Sequence, residues 1–360
     1  MMRRLLIALT LLASAAPART ALAVDAQEPV TRLRTVERRV VRVEREGRSA
    51  SVEAEQRRTD ERETQTERIT RSVNIGASGE LDLSNIAGDI VITRASGTTA
   101  LIEAVKTARG ATVEEAREML ALVPVEITER GTRVEARTRY PSGDDRRRTG
   151  RRNLNVSVAF TVAAPEGTRI LVKSISGNIS ARDILGGLTL ESVSGSIRIA
   201  NAGRMVNGRS ISGDIELNDT KVEGALEAGT ISGTVRLRRL TARSLTVNSV
   251  SGSVVMEDVT AERVGAQSIS GDITYGGDLQ PNGRYELAAH SGNIRLALPA
   301  STGFQLEATS FSGSINTDIQ VTMSGGQNGR RSRALRGTAG GGGAFLDLTT
   351  FSGSIIIVKR

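Results

Sequence analysis

The sequence predicts an all-β fold, a single-stranded β-solenoid (β-helix) with coils of about 19 residues. A short phrase recurs, reading SVSGSIRI at 192–199, SISGDIEL at 210–217 and SISGDITY at 268–275. Apolar and polar residues alternate around each copy, and a glycine holds the same place in every one. From Gly177 to Gly313, 136 residues cover seven steps, which sets the coil length. A repeat this short with period-two alternation is typical of stacked strands and not of helical hairpins.

The glycine of each Ser-Gly pair serves as the reference point of a coil. These residues are Gly177, Gly195, Gly213, Gly233, Gly252, Gly271, Gly292, Gly313 and Gly353. An Ile or Val stands two residues after each glycine, which predicts a core ladder of like side chains stacked about 4.8 Å apart on neighbouring coils. The glycine itself predicts a sharp bend at which a side chain would crowd the neighbouring coils.

The C-terminal part of the repeat is less regular. The last interval, from Gly313 to Gly353, is 40 residues long. We interpret it as a double step that contains a Gly- and Arg-rich insertion at 324–343. The closing stretch FSGSIIIVKR is then expected to form the open end of the stack, with Lys359 and Arg360 guarding the exposed strand edge.

The first 23 residues, MMRRLLIALTLLASAAPARTALA, predict a secretory signal peptide. Two arginines precede an apolar run over residues 5–16, and ALA at 21–23 has the small-x-small pattern of a cleavage site. The run is shorter than the roughly 20 residues of a membrane-spanning helix. The protein is therefore expected to be exported, whether periplasmic, cell-surface or secreted, with no transmembrane helix after signal cleavage.

Residues 24–70 carry mixed charges and few large apolar side chains, which predicts a disordered tether. Residues 71–169 predict one early coil followed by an excursion, and residues 170–360 contain the repeats. Around Gly88 the chain repeats the coil pattern, with Ile90 two residues later. Thr112 and Glu115 have the spacing of a capping box and predict a short helix over 112–121. A hairpin is predicted around Gly131.

The stretch NIAGDIVI at 85–92 and the repeated SISGDI resemble a bacterial family of putative adhesins, a domain of unknown function. Members of this family have repeated S-[IV]-S-G-[DNS]-[IV] units. The resemblance covers about 65–360. It implies a signal-bearing envelope protein with a β-solenoid fold. The charged tether and the insertion at 324–343 depart from a plain solenoid.

Candidate catalytic residues are few. Enzymes on β-helical folds that act on polysaccharides need paired carboxylates or a metal. Asp214 and Asp272 lie three coils apart, about 14 Å by stacking, whereas glycosidase pairs are roughly 5–9.5 Å apart. His290, the only histidine, stands two residues before Gly292 in an otherwise apolar column and is expected to be a ladder residue. With one histidine and no cysteine, we expect no metal site and no cofactor.

Two Arg-rich segments are the candidate binding sites for an anionic polymer or surface. Their arginines are Arg146, Arg147, Arg148, Arg151, Arg152, Arg330, Arg331, Arg333 and Arg336. The scarcity of aromatic residues and the export signal argue against nucleic-acid binding.

The leading hypothesis is a non-catalytic, exported envelope protein that presents an elongated solenoid surface for adhesion or scaffolding. Its partner would be an envelope polymer or protein, and its oligomeric state stays open. Two alternatives remain, namely a polysaccharide-acting enzyme on a β-helix and an envelope-stress accessory protein that binds another protein.

Overall fold

The computed structural model of this chain describes residues 62–142, 154–204, 206–323 and 333–360. The predicted signal peptide, the tether up to residue 61 and most of both Arg-rich segments lie outside the described residues. The helix is α1 (Val113–Ala121). The strands are β1 (Glu63–Asn74), β2 (Glu80–Ala87), β3 (Ile90–Ala95), β4 (Thr99–Gly110), β5 (Val125–Arg130), β6 (Arg133–Thr138), β7 (Val156–Pro165), β8 (Arg169–Ser176), β9 (Ile179–Arg182), β10 (Leu188–Ser194), β11 (Ile197–Ala200), β12 (Val206–Ser210), β13 (Ile215–Ser232), β14 (Val235–Ser251), β15 (Val254–Ser270), β16 (Ile273–Gly276), β17 (Leu279–Ser291), β18 (Ile294–Leu298), β19 (Phe304–Ser310), β20 (Ile315–Thr317), β21 (Thr322–Met323), β22 (Arg333–Ala339), β23 (Ala344–Ser352) and β24 (Ile355–Lys359).

The predicted β-solenoid and its core ladder are confirmed. Ile197 pairs with Ile215, which pairs with Val235 on the next coil, and all three side chains are fully buried. A second buried ladder stands seven residues before each glycine, where Val206 pairs with Leu226. Because like side chains stack in register, the apolar core is continuous from coil to coil.

Each regular coil bends a second time, six residues after its glycine. Asp219 at this bend has a φ of 51°, in the left-handed region that Asn and Asp enter more readily than other residues with a side chain. The same position holds Asp183, Asn201, Arg239 and Asp258, with φ between 49° and 59°. The left-handed residue turns the strand onto another side of the coil, so β13 pairs with β14 on both sides of the bend.

The glycine column is explained by close backbone contact. A Cβ atom on Gly233 would lie 2.3 Å from the carbonyl oxygen of Gly213, and one on Gly271 would lie 2.2 Å from that of Gly252. The φ angles of Gly233 and Gly271 lie outside the left-handed region, so crowding between coils is what excludes a side chain at these two positions. Gly177 combines the same crowding with a φ of 130°.

The polar column directly after the glycines ties neighbouring coils together. The Asp214 carboxylate accepts a hydrogen bond from the Thr234 backbone N–H at 2.8 Å, and the Asp272 carboxylate accepts one from Asn293 at 2.7 Å. These side chains satisfy backbone donors that the bend leaves without a strand partner. Asp214 and Asp272 therefore have a structural role on separate coils.

The stacking order differs from the chain order at the C-terminal end. β23 pairs in parallel with β17 on one side and with β19 on the other, and β24 lies between β18 and β20. The coil of Gly353 is thus inserted between the coils of Gly292 and Gly313. The expectation that FSGSIIIVKR forms the open end is wrong, because both edges of its two strands are paired.

The interpretation of the last interval as a double step is also wrong. Residues 333–339 form β22, which pairs antiparallel with β19 and covers the coil of Gly313. The chain then returns through the glycines at 340–343 to enter β23. An antiparallel cap strand thus replaces the extra coil, and it occupies part of the stretch predicted as an insertion.

The N-terminal region confirms the early coil, the helix and the hairpin. Ile90 pairs with Ile179, so the coil of Gly88 stacks directly on that of Gly177. Thr112 caps α1 by accepting a hydrogen bond from the Glu115 backbone N–H at 3.1 Å. β5 and β6 form the hairpin, and β6 and β7 pair with β2 and β3 on the outer side of the early coil.

One N-terminal boundary differs from the prediction. β1 begins at Glu63, inside the stretch predicted as a tether, and pairs along its whole length with β4. Most of its side chains are exposed, and Val73 is buried. A strand exposed on both faces lacks the apolar alternation that predicts strands.

Candidate interaction surface

The most prominent surface feature is a column of exposed apolar side chains two residues before each glycine, which we call the outer ladder. In stacking order its members are Ile86, Ile175, Val193, Ile211, Ile231, Val250, Ile269, His290, Phe351 and Phe311. Eight of them are large apolar side chains that are 39–52% exposed. The ladder spans ten rungs, about 43 Å at the strand spacing of a sheet.

Strand alternation directs the outer ladder to solvent. Residues seven, five and three before each glycine point into the core, so those six, four and two before it point outward. The residue three before glycine is a small hydroxyl side chain on most coils. The Thr230 hydroxyl donates a hydrogen bond to the Gly213 carbonyl at 3.1 Å, and Ser310 donates one to Gly353 at 2.9 Å. These bonds leave the adjacent outer-ladder residue on the outside of the bend.

The C-terminal end of the ladder is a stack of three rings. The His290 and Phe351 rings lie 5.0 Å apart with 7° between their planes, and the Phe351 and Phe311 rings lie 4.7 Å apart with 5° between theirs. His290 is thus a member of the ladder, as the sequence indicates. The inserted C-terminal coil provides the middle ring.

Two shallow open grooves run along the outer ladder. One of about 870 Å³ extends from Ile86 to Val250, and one of about 580 Å³ extends from Val250 to Phe311. They share Val250, so the two grooves follow the ladder from end to end. The column four residues before each glycine forms their other wall, with Lys173 and Arg209 in the N-terminal half.

The same sheet face carries a column of acids, which we call the acidic ladder. Asp347 pairs with Glu286 on one neighbouring coil and with Glu307 on the other. Glu286 forms an ion pair with Arg284, and Glu307 forms one with Arg336. Partial burial raises the pKa of Asp347, and repulsion from Glu307 and Glu286 raises it further. Sequence reasoning missed this cluster because Glu307 and Asp347 become neighbours only through the inserted coil.

The Arg-rich candidate residues are largely beyond the described part of the chain. Arg146, Arg147, Arg148, Arg151, Arg152, Arg330 and Arg331 lie outside the described residues. The backbone of Arg333 begins β22, and Arg336 lies on the same strand in its ion pair with Glu307. The two Arg-rich clusters therefore stay a prediction that the described residues do not test.

Two further properties concern the described residues alone. No three of their His, Asp and Glu side chains are grouped so that they could hold a metal ion. Their one helix, α1, is too short to cross a membrane.

The solenoid belongs to a known protein family. The family model Toastrack DUF4097 matches residues 77–358. The chain belongs to this family. The resemblance carried by the SISGDI repeats is thereby confirmed, since Toastrack DUF4097 is a domain of unknown function with a β-solenoid-like fold.

Several solved structures resemble this Toastrack chain at low sequence identity. A putative adhesin from Bacteroides fragilis is 13% identical with a TM-score of 0.43, and the match covers 82% of this chain and 97% of the other. A putative adhesin from Parabacteroides merdae is 11% identical with a TM-score of 0.46, covering 82% and 96%. A putative lipid binding protein from Parabacteroides distasonis is 14% identical with a TM-score of 0.45, covering 81% and 96%. No curated protein matches the chain.

Proposed function

We propose that this Toastrack protein is a non-catalytic, exported scaffold or adhesion protein of the cell envelope that contacts its partners through the outer ladder. The observation that supports this proposal is a column of half-exposed Ile, Val and Phe side chains along one sheet face, with His290 as its one polar member. Contiguous exposed apolar patches on soluble proteins mark interaction sites. The predicted signal peptide supports export.

Stability of the fold does not account for the outer ladder. Two other outward columns of the same face hold mainly polar residues, such as Thr189 and Glu191 on β10, so a polar residue is compatible with an outward position. On nine of the ten coils the position two before glycine is instead apolar, and His290 is the exception. We infer that the ladder provides contact area for another molecule.

The two Arg-rich segments remain a second proposed contact, for anionic polymers or headgroups. Arg336 is a weaker candidate than the others because Glu307 already neutralises it. A deletion of 324–332 would test this contact without removing β22.

The experiment compares capture of envelope fractions by the immobilised, exported chain and by two variants. Ile211→Lys/Ile231→Lys places charges on the outer ladder, and Val91→Lys places one on an exposed apolar residue elsewhere on the solenoid. We expect the ladder variant to lose most of the captured material and Val91→Lys to retain it. Equal capture by all three proteins would contradict the proposal.

The acidic ladder favours one alternative, a polysaccharide-acting enzyme. The backbones of acids on adjacent rungs are about 4.8 Å apart, which lets their carboxyl groups reach the 5–5.5 Å separation of retaining glycosidases. The pKa of Asp347 is raised, which is the direction that a general acid requires. If the purified chain releases reducing sugar from envelope polysaccharide, Asp347→Asn should abolish the release. Release that persists in this variant would eliminate the acidic ladder as the active site.

A further inference from the structure

We propose that the outer ladder is the contact surface of a homodimer in which two copies pack face to face with antiparallel solenoid axes. The inference deepens the proposed function, on which it rests, by naming a second copy of the chain as the partner. Period, charge and area each favour this occupant.

The period of the ladder matches that of a second solenoid. Its side chains repeat about every 4.8 Å, whereas one face of an α-helix repeats about every 5.4 Å and one face of an extended strand about every 6.6 Å. A helix laid along ten rungs would drift by about 5 Å, one full rung. A second stack of coils has the same period, so its side chains stay in register with the rungs along the whole length.

The symmetry of the dimer decides which columns of the two faces meet. A two-fold axis parallel to the strands reverses the order of rungs and places each outer ladder on the other. A two-fold axis parallel to the solenoid axis would place the outer ladder against the column six before glycine, which contains the acidic ladder. Direct contact between the two outer ladders therefore selects the antiparallel arrangement.

Large and small side chains face each other under that symmetry. With the axis at the centre of the ladder, between Ile231 and Val250, Ile175 of one copy faces Phe351 of the other and Val193 faces His290. The aromatic end of each ladder thus meets the smaller aliphatic end of the other.

The antiparallel arrangement also brings opposite charges together across the interface. The column four before glycine has Lys173 in the N-terminal half, 57% exposed and 3.5 Å from Glu191. Antiparallel packing brings Lys173 of one copy to the rung that carries Asp347 in the other. The cation then lies beside the acidic ladder, where Asp347 has a repelling carboxylate on each side.

The available area is sufficient for a weak to moderate dimer. The face is about 43 Å long and about 13 Å wide between the columns two and six before glycine. That is roughly 600 Å² per copy, at the lower end of the 600–1,000 Å² per partner in specific interfaces. The uncharged residues of the middle column, among them Gly229 and Ala288, leave room for close approach.

Sedimentation equilibrium of the purified exported chain tests the dimer. We expect a dimer for the wild-type chain and for Val91→Lys, and a monomer for Ile211→Lys/Ile231→Lys, with unchanged circular dichroism in all three. A wild-type chain that stays monomeric at tens of micromolar would overturn the inference, yet loss of envelope capture by the ladder variant would still support the proposed function. A dimer that survives both lysines would place the interface elsewhere.

Spin-label distances test the orientation, and the chain has no native cysteine to interfere. Arg236→Cys places a label one rung from its counterpart along the axis, and Asn316→Cys places one nine rungs, about 43 Å, from its counterpart. The antiparallel dimer predicts a much longer distance at Asn316 than at Arg236. Similar distances at the two sites would overturn the antiparallel arrangement.

Discussion

The carbonyl oxygen of Gly233 lies 1.9 Å from the position that a Cβ atom on Gly252 would occupy. Gly252→Ala should therefore force two coils apart and lower the free energy of unfolding by at least about 1–3 kcal/mol, the range of overpacking. Chemical denaturation of the variant measures the loss. Gly265→Ala is the matched control, because a Cβ atom there meets no other atom within 4 Å. Equal stability of the two variants would contradict the proposed role of the glycine column.

The carboxylate of Asp272 accepts the backbone N–H of Asn293 at the bend of the next coil. Asp272→Ala should lower the free energy of unfolding by about 1–3 kcal/mol, because the donor loses its partner. Asp272→Asn keeps an acceptor oxygen and should lose less. Thermal unfolding of both variants tests this, and equal losses would show that the hydrogen bond contributes little.

Tyr275 is fully buried, and its hydroxyl donates to the carbonyl of Val259 at 3.0 Å. Burial raises the pKa of Tyr275 above its usual value. The unfolded chain ionises near pH 10, so this stabilising contribution is complete below pH 10 and is lost as the pH rises further. Tyr275→Phe should be less stable at pH 7 and lose less stability between pH 9 and 11. A wild-type slope in that range would contradict the assignment.

Asp347 also has a raised pKa, but its pH window lies in the acidic range. Because its pKa is raised in the folded chain by partial burial and two glutamates, its ionisation destabilises the fold. The penalty is absent below the unfolded pKa near 3.9 and grows as the pH rises through the folded pKa. Asp347→Asn should therefore raise the melting temperature at pH 7 and leave it unchanged near pH 3. A lower melting temperature at pH 7 would contradict this account.

The coil, its core ladder and the capping box of α1 could be predicted because each depends on local pattern. Ile215 stands two residues after its glycine, and every regular coil has an Ile or Val at the same position. The left-handed bend at Asp219 had a signal too, since Asp or Asn recurs at that position, but Arg239 interrupts the column.

The stacking order could not be predicted from the repeat. Nothing in FSGSIIIVKR distinguishes a coil that ends the stack from one inserted within it, because both need the same core residues. The exposure of the outer ladder could not be predicted either. An Ile two residues before glycine fits a buried column as well as an exposed one. Only the structure shows that the neighbouring Ser210 points inward, where its hydroxyl donates a hydrogen bond to the Gly195 carbonyl.

The most direct test of the account is the order of the three terminal rungs, since the continuous outer ladder depends on it. Paired cysteines can report that order, because a disulfide needs Cα atoms about 4.4–6.8 Å apart and the chain has no native cysteine. We expect His290→Cys/Phe351→Cys to form an intramolecular disulfide on mild oxidation, and His290→Cys/Phe311→Cys, two rungs apart, to stay reduced. The reverse result would show that the coils stack in chain order and would contradict the structure of the ladder.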